Sequence, residues 1–248
     1  MHLAADAFGR RIVDGLAPFG LNLMGVAPVE AYDALVPERY RLGDAARAVM
    51  VVGNGGGAFW RAFRARADAD AGFARRPHPL DDFTREVIER HGVTALAAAG
   101  VRVDVRFPFD DATPPLSFVH LAEAAGIGRR GLLGILLHPE FGPWMALRAA
   151  FLLDAPARAA RPAEGFAPCA TCAERPCIAA CPGAAVSSAG WDVERCVDHR
   201  LAENGNCDDA CHARVACVYG RAHVYPAAAS AYHQGRARGV MERARRAS

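Results

Sequence analysis

The chain has 248 residues, 52% of them hydrophobic and 23% charged, with a net charge of +2; such a chain can bury a sizeable core, as one large domain or two modest ones. All 29 basic residues are arginine, yet the near-neutral balance sets up no global field that calls for nucleic acid or a membrane. All eight cysteines fall between Cys169 and Cys217, and because neither chain size nor a reducing compartment favours a disulfide scaffold, metal ligation is the expectation.

The first twenty residues, "MHLAADAFGRRIVDGLAPFG", are charged every few positions and never reach an apolar run of signal-peptide or membrane-span length, so the expected location is cytoplasmic, with no membrane partner. Phe8, Ile12, Val13 and Leu16 form a helix stripe there, and "LNLMGVAPV" and "RAVMVVG" read as buried strands. "HPLDDFTREVIERHGVTALAAAG" predicts one long helix, with Asp81 and Asp82 in its first turn and Gly100 at its end. "VRVDVRFPF" alternates as a half-buried strand, and "LSFVHLAEAAGIG" is a short helix. "GLLGILLHP" and "LRAAFLL" are apolar strands around the turn "EFGPW". Helices interleaved with strands predict a layered domain of both element types over 1–155.

The stretch "VMVVGNGGGAFWRAF" fits G-x-G-x-x-A between a strand and a helix, with Gly53, Gly55 and Ala58 in the fingerprint positions. A dinucleotide site also needs an acidic residue ending a second parallel strand about twenty residues on. That region reads "DAGFARRPHP", which is no strand, so a glycine-rich turn is the preferred reading. "DAPARAARPAEGFAP" has no apolar period and predicts a linker, placed at 156–168. A cysteine module over 169–225 follows, then an arginine-rich tail over 226–248. With no aromatic residues among its arginines, the end of that tail reads as a solvated or helical segment rather than a nucleic-acid contact.

Cys169, Cys172, Cys177 and Cys181 follow C-x2-C-x4-C-x3-C-P. Two-cluster ferredoxins use the related C-x2-C-x2-C-x3-C-P, in which the fourth cysteine ligates the other cluster. Cys196, Cys207, Cys211 and Cys217 complete two sets of four. By the same crossover, one [4Fe-4S] cluster takes Cys169, Cys172, Cys177 and Cys217, and the other takes Cys181, Cys196, Cys207 and Cys211. Zinc is the competing occupant, since thiolate tetrads suit both metals, but zinc ribbons rarely show the Cys-Pro crossover.

"GLLGILLHPEFGPWMALRAAFLL" resembles the signature segment of the cobalamin-processing CblC family through Gly134, His138, Pro139, Phe141, Gly142, Trp144 and Arg148. His120, in "SFVHLAEAAG", matches a histidine of the CblC cobalamin pocket. The order of the modules resembles the epoxyqueuosine reductase family, which joins such a domain to a two-cluster ferredoxin module. The resemblance implies an α+β, nitroreductase-like sandwich followed by a bacterial two-[4Fe-4S] ferredoxin-like module. It further implies two [4Fe-4S] clusters and base-off cobalamin as cofactors, with His120, Gly134, His138, Trp144 and Arg148 as cobalamin contacts. Each contact has a plainer alternative: a core tryptophan, a buried ion pair for Arg148, a satisfied core histidine for His120. Two departures stand out. The family's catalytic aspartate falls near Ala112, with Asp110 and Asp111 only close by, so no catalytic residue is assigned, and its helical-repeat domain for tRNA is not found before the sequence ends.

The leading expectation is therefore an iron–sulfur oxidoreductase that binds a corrinoid and passes it electrons from an external donor, with tRNA not expected as a partner. The alternatives are an epoxyqueuosine reductase-like enzyme acting on tRNA, and a ferredoxin-like carrier whose N-terminal domain docks a partner or binds flavin.

Overall fold

A computed structural model describes residues 12–98, 100–157, 165–202 and 206–247. Most of the expected first helix before Ile12, and residues 158–164 of the expected linker, lie outside them. The strands are β1 (Leu23–Pro28), β2 (Ala48–Gly55), β3 (Val103–Arg106), β4 (Arg129–Arg130), β5 (Leu136–Leu137), β6 (Met145–Leu153), β7 (Val186–Ser187) and β8 (Gly190–Trp191). The chain divides into two compact units, one of Met1–Gly128 with Met145–Glu164 and the other of Arg129–Trp144 with Gly165–Ser248. This differs from a simple boundary at 155, because the segment 129–144 belongs with the cysteines.

The first unit is built on a sheet in the order β1-β2-β6-β3, antiparallel throughout. Every residue of β2 is buried, as expected of a central strand covered on both faces, which is why its sequence runs apolar without alternation. The edge strand β1 alternates buried and half-buried positions. Phe59 and Phe63 of helix Ala58–Ala69 meet Phe83 of helix Pro79–Val87 with ring centroids 5.4 and 6.0 Å apart. The long helix expected over 78–100 forms as Pro79–Val87, a π-helical stretch Ile88–Val93 and Thr94–Ala98. Pro79 opens it, Asp81 and Asp82 sit in its first turn, and Gly100 beyond it has φ of 72°.

Three sequence expectations resolve in this unit. The Gly53–Ala58 stretch does lead from β2 into a helix, but both neighbours of β2 run antiparallel, so the parallel βαβ crossover of a dinucleotide fold is not what surrounds it. The strand "VRVDVRFPF" shortens to four residues. Arg148, inside apolar β6, is 9% exposed, and its Nε donates to Asn54 Oδ1 at 2.7 Å while its guanidinium lies 4.4 Å over the Phe59 ring. The partners of this buried cation thus include a neutral amide and an aromatic face.

A further correction falls in the second unit. "GLLGILLHP" supplies only the two residues of β5, paired with β4. Its apolar residues serve a different surface: Leu132 and Leu133 pack on the cluster of Cys177, Val186 and Ala213. An apolar run reads as a strand by pattern alone, and here it is a loop because its burial is supplied by the cysteine module.

Replacing Asn54 with Ala removes an acceptor from a buried guanidinium. Denaturant unfolding should show a loss of about 2–3 kcal/mol, in the range for hydrogen bonds to charged groups.

Candidate metal centres

The second unit assembles its cysteines from one-turn helices and loops. Helices Pro168–Thr171 and Pro176–Ala179 each begin with proline at the first helical position, where the missing N–H costs nothing and φ is already set. Arg175, with φ of 43°, turns the chain between them. Cys169, Cys172, Cys177 and Cys217 line one cavity together with Leu132 and Tyr219. Cys196 lies on helix Val193–Leu201, and Cys211 immediately precedes helix His212–Val215. The electrostatic neighbours of the thiols fall into two groups. Cys177 and Cys217 each sense Cys169 and Cys172, whereas Cys196 and Cys207 sense Cys211 and Cys181.

Burial is the largest influence on Cys177, Cys196, Cys207 and Cys217 and pushes all four thiols up, with the neighbouring cysteines adding to the shift. Such thiols stay protonated at neutral pH unless a cation takes the proton's place, which is what a coordinated metal does. Backbone amides already point at two of the sulfurs: Leu132 N–H donates to Cys169 Sγ and Ala185 N–H to Cys181 Sγ, each at 3.3 Å. All eight cysteines are free thiols. Among the described residues, no three His, Cys, Asp or Glu side chains converge closely enough to hold a single metal ion. Thiolate donors suit zinc and iron–sulfur clusters alike.

The "HPEFGPW" turn is built into this unit. His138 and Gly142 exchange backbone hydrogen bonds at 2.9 and 2.8 Å, and His138 Nδ1 accepts from the N–H groups of Glu140 and Phe141. Burial holds the imidazole below its ordinary value, with His223 acting in the same direction and Glu140 against it. Gly142, with φ of 54°, lies so close to the loop after Cys217 that a Cβ there would stand 2.3 Å from Tyr219 O; one on Gly220 would stand 2.1 Å from Phe141 O. Trp144 is 2% exposed, with its ring 5.6 Å from Tyr225 and Arg214 above both rings. Arg214 Nε also donates to Pro143 O at 3.0 Å. A Cβ on Gly134 would stand 2.3 Å from the Trp191 ring.

The five expected cobalamin contacts are therefore divided. Gly134, His138 and Trp144 lie in the second unit, where each has a packing role. Arg148 and His120 lie in the first unit. His120 Nδ1 is 2.6 Å from Ser117 Oγ, and the Ser117 N–H donates to the buried Tyr32 hydroxyl at 3.1 Å. Asp110, near the position of the missing aspartate, is held by Arg85 at 2.6 Å. Arg200, which the sequence reading passed over, is 6% exposed within the second cysteine set. Its signal was the i, i+4 spacing from Cys196 along a helix.

No family model matches the chain, and no curated protein matches it by sequence. Solved structures do. An epoxyqueuosine reductase solved with a tRNA stem loop carrying the epoxyqueuosine modification superposes with a TM-score of 0.60 at 14% identity, covering 88% of this chain and 67% of that one. The B12-trafficking protein CblC of C. elegans gives 0.59 at 13% identity, covering 93% and 91%. A reductive dehalogenase described in terms of B12-dependent dehalogenation gives 0.54 at 17% identity, covering 90% of this chain and 33% of its own. The fold is the one these proteins share. At such low identity the likeness establishes architecture, and the α+β expectation for the chain stands on it.

Two outcomes follow from the turn. His138 should titrate below 6.5, its charged form being disfavoured by burial and by two N–H donors on Nδ1; its contribution to stability is present above that ordinary value and is lost as pH falls through the lowered one. An NMR titration of the His138 ring protons checks this, and a midpoint at or above 6.5 contradicts it. Gly142→Ala should displace the 217–220 loop and destabilise the second unit by several kcal/mol, since both the φ and the backbone contact oppose a side chain; thermal unfolding of the purified variant reads the loss.

Proposed function

We propose that the chain is an iron–sulfur oxidoreductase that carries two [4Fe-4S] clusters and delivers electrons from an external donor to a bound corrinoid. The observation that carries this reading is the convergence of Cys169, Cys172, Cys177 and Cys217 on one cavity, with the other four cysteines in the same unit. When bound, the clusters would supply one-electron transfer at low potential, down to about −700 mV. Cys169, Cys172, Cys177 and Cys217 would hold one cluster, and Cys181, Cys196, Cys207 and Cys211 the other. The Leu132 and Ala185 amides would donate to ligand sulfurs, and Leu132, Leu133 and Val186 would limit water around them; both are protein levers on cluster potential.

Support for a corrinoid comes from the shared fold with proteins described as handling or depending on B12, and from His120 in the first unit. Arg148 is committed to Asn54 and Phe59 and is better read as a structural cation. Gly134, His138 and Trp144 are better read as fastening the 129–144 segment to the cysteine module. A second substrate class has a specific reason to stand beside this one: a neighbour of the same fold is solved with a tRNA stem loop, so the expectation that excluded tRNA is withdrawn. Asp110 and Asp111 are then the residues to examine as proton donors, because such a step needs a donor within about 3 Å of the departing oxygen.

Anaerobically reconstituted protein should be brown and hold about eight iron atoms per chain, the content of two cubanes. Cys172→Ala should remove one cluster and Cys207→Ala the other, each halving the iron; colourless protein with stoichiometric zinc would exclude the cluster reading. Added cobalamin should show the blue-shifted visible bands of its base-off form, and His120→Ala should weaken that binding while iron content stays unchanged. No binding at tens of micromolar would leave the cluster half of the reading and remove the corrinoid half.

A further inference from the structure

Among the described residues, Arg200 Nε is the one buried side-chain nitrogen or oxygen with no hydrogen-bond partner. The residue is 6% exposed. Its Nη2 donates to Gln234 O at 2.8 Å, and no carboxylate among the described residues lies within ion-pair distance of it. A guanidinium does not lose its proton in a protein, and a buried cation needs an anion or a full set of acceptors. The negative groups that could answer it are thiolates. Arg200 is one helical turn beyond Cys196 on helix Val193–Leu201, and its charge reaches both Cys196 and Cys207.

The position is fixed from outside the helix as well. Arg238, on the C-terminal helix Ala227–Ala247, donates to Arg200 O at 2.7 Å and to Asp208 Oδ1 at 2.9 Å. Arg245 of the same helix pairs with Asp198. The arginine-rich end of the chain, read from sequence as a solvated or helical segment, thus clamps the element that carries Cys196 and Arg200.

We propose that Arg200 is the counter-ion of the second cluster, donating from Nε to its sulfur and setting it as the easier of the two clusters to reduce. This rests on the cluster reading above. One electron enters the cluster on reduction and no bond is made or broken, so the reduced form is one charge more negative. A buried cation favours that form and raises the potential. The first set has a cation nearby in Arg175, which lines its cavity, but that residue is half-exposed and water screens it. Arg214 lies near Cys211 and acts in the same direction as Arg200, with its guanidinium shared among Pro143 O and the rings of Trp144 and Tyr225.

The test is a dithionite redox titration of the reconstituted full chain followed by electron paramagnetic resonance, with the second-set signal assigned as the one that survives Cys172→Ala. In the wild type that signal should have the higher midpoint. At its wild-type midpoint, Arg200→Gln should lower the ratio of reduced to oxidised second cluster at least tenfold, which is about 59 mV for a one-electron couple. Arg200→Lys, which keeps the charge and loses the planar fork, should shift it less. Arg238→Gln, which loosens the clamp and keeps Arg200, should leave the order of the two midpoints as in the wild type. Two intact clusters with unchanged midpoints in Arg200→Gln overturn this inference and leave the cluster reading in place, whereas absence of iron from the wild type overturns both. Should both Arg200 variants lose the second cluster, the wild-type order decides: a first-set cluster that is reduced at the higher potential overturns the proposal.

Discussion

Four thiols brought side by side in an apolar setting cannot all ionise on their own, because each thiolate opposes the next and burial opposes every one. The second unit brings Cys169, Cys172, Cys177 and Cys217 to one cavity. Its small apolar core of Cys177, Val186 and Ala213 is packed on by Cys181 and Cys211 as well, so cysteines of both sets share one interior. A body that took the protons' place and bound the sulfurs would relieve the repulsion and knit the loops together, and its binding would then be coupled to the folding of this unit. The one-turn helices and short strands around it have little else to order them.

The segment 129–144 belongs to the same construction. The chain leaves the sheet unit after Gly128, supplies Leu132 and Leu133 to the cysteine core, closes the His138–Gly142 turn, and returns at Met145 as the longest strand of the sheet. The close backbone contact at Gly142 and Gly220 explains why both residues lack a side chain, and the buried Trp144 beneath Arg214 explains the aromatic at the end of the turn. A motif that by resemblance announces a cofactor pocket is, in its visible contacts, the fastening of a cysteine module.

Charge is distributed accordingly. Among the described residues the buried cations are Arg148 and Arg200, and they have different partners. Arg148 is answered inside the sheet unit by an amide and an aromatic ring. Arg200 is answered on one side by a backbone carbonyl, while its buried Nε has no hydrogen-bond partner. The half-buried Arg238 and the exposed Arg245 meet Asp208 and Asp198, which makes a charged tail a structural helix, with ion pairs that serve position more than stability.

The sequence by itself determined the elements whose signal is local. The apolar run of β2 and the proline start and acidic first turn of the 79–87 helix are properties of neighbouring residues, and each survives in the fold; the grouping of the eight cysteines is likewise read from local spacing. Strand direction and the destination of an apolar run are not local. That β2 lies between two antiparallel neighbours, that "GLLGILLHP" is a loop under the cysteines, and that Arg200 is buried while Arg195 is exposed were decided only by tertiary packing, because burial is conferred by partners distant in the chain and leaves no period in the sequence to read.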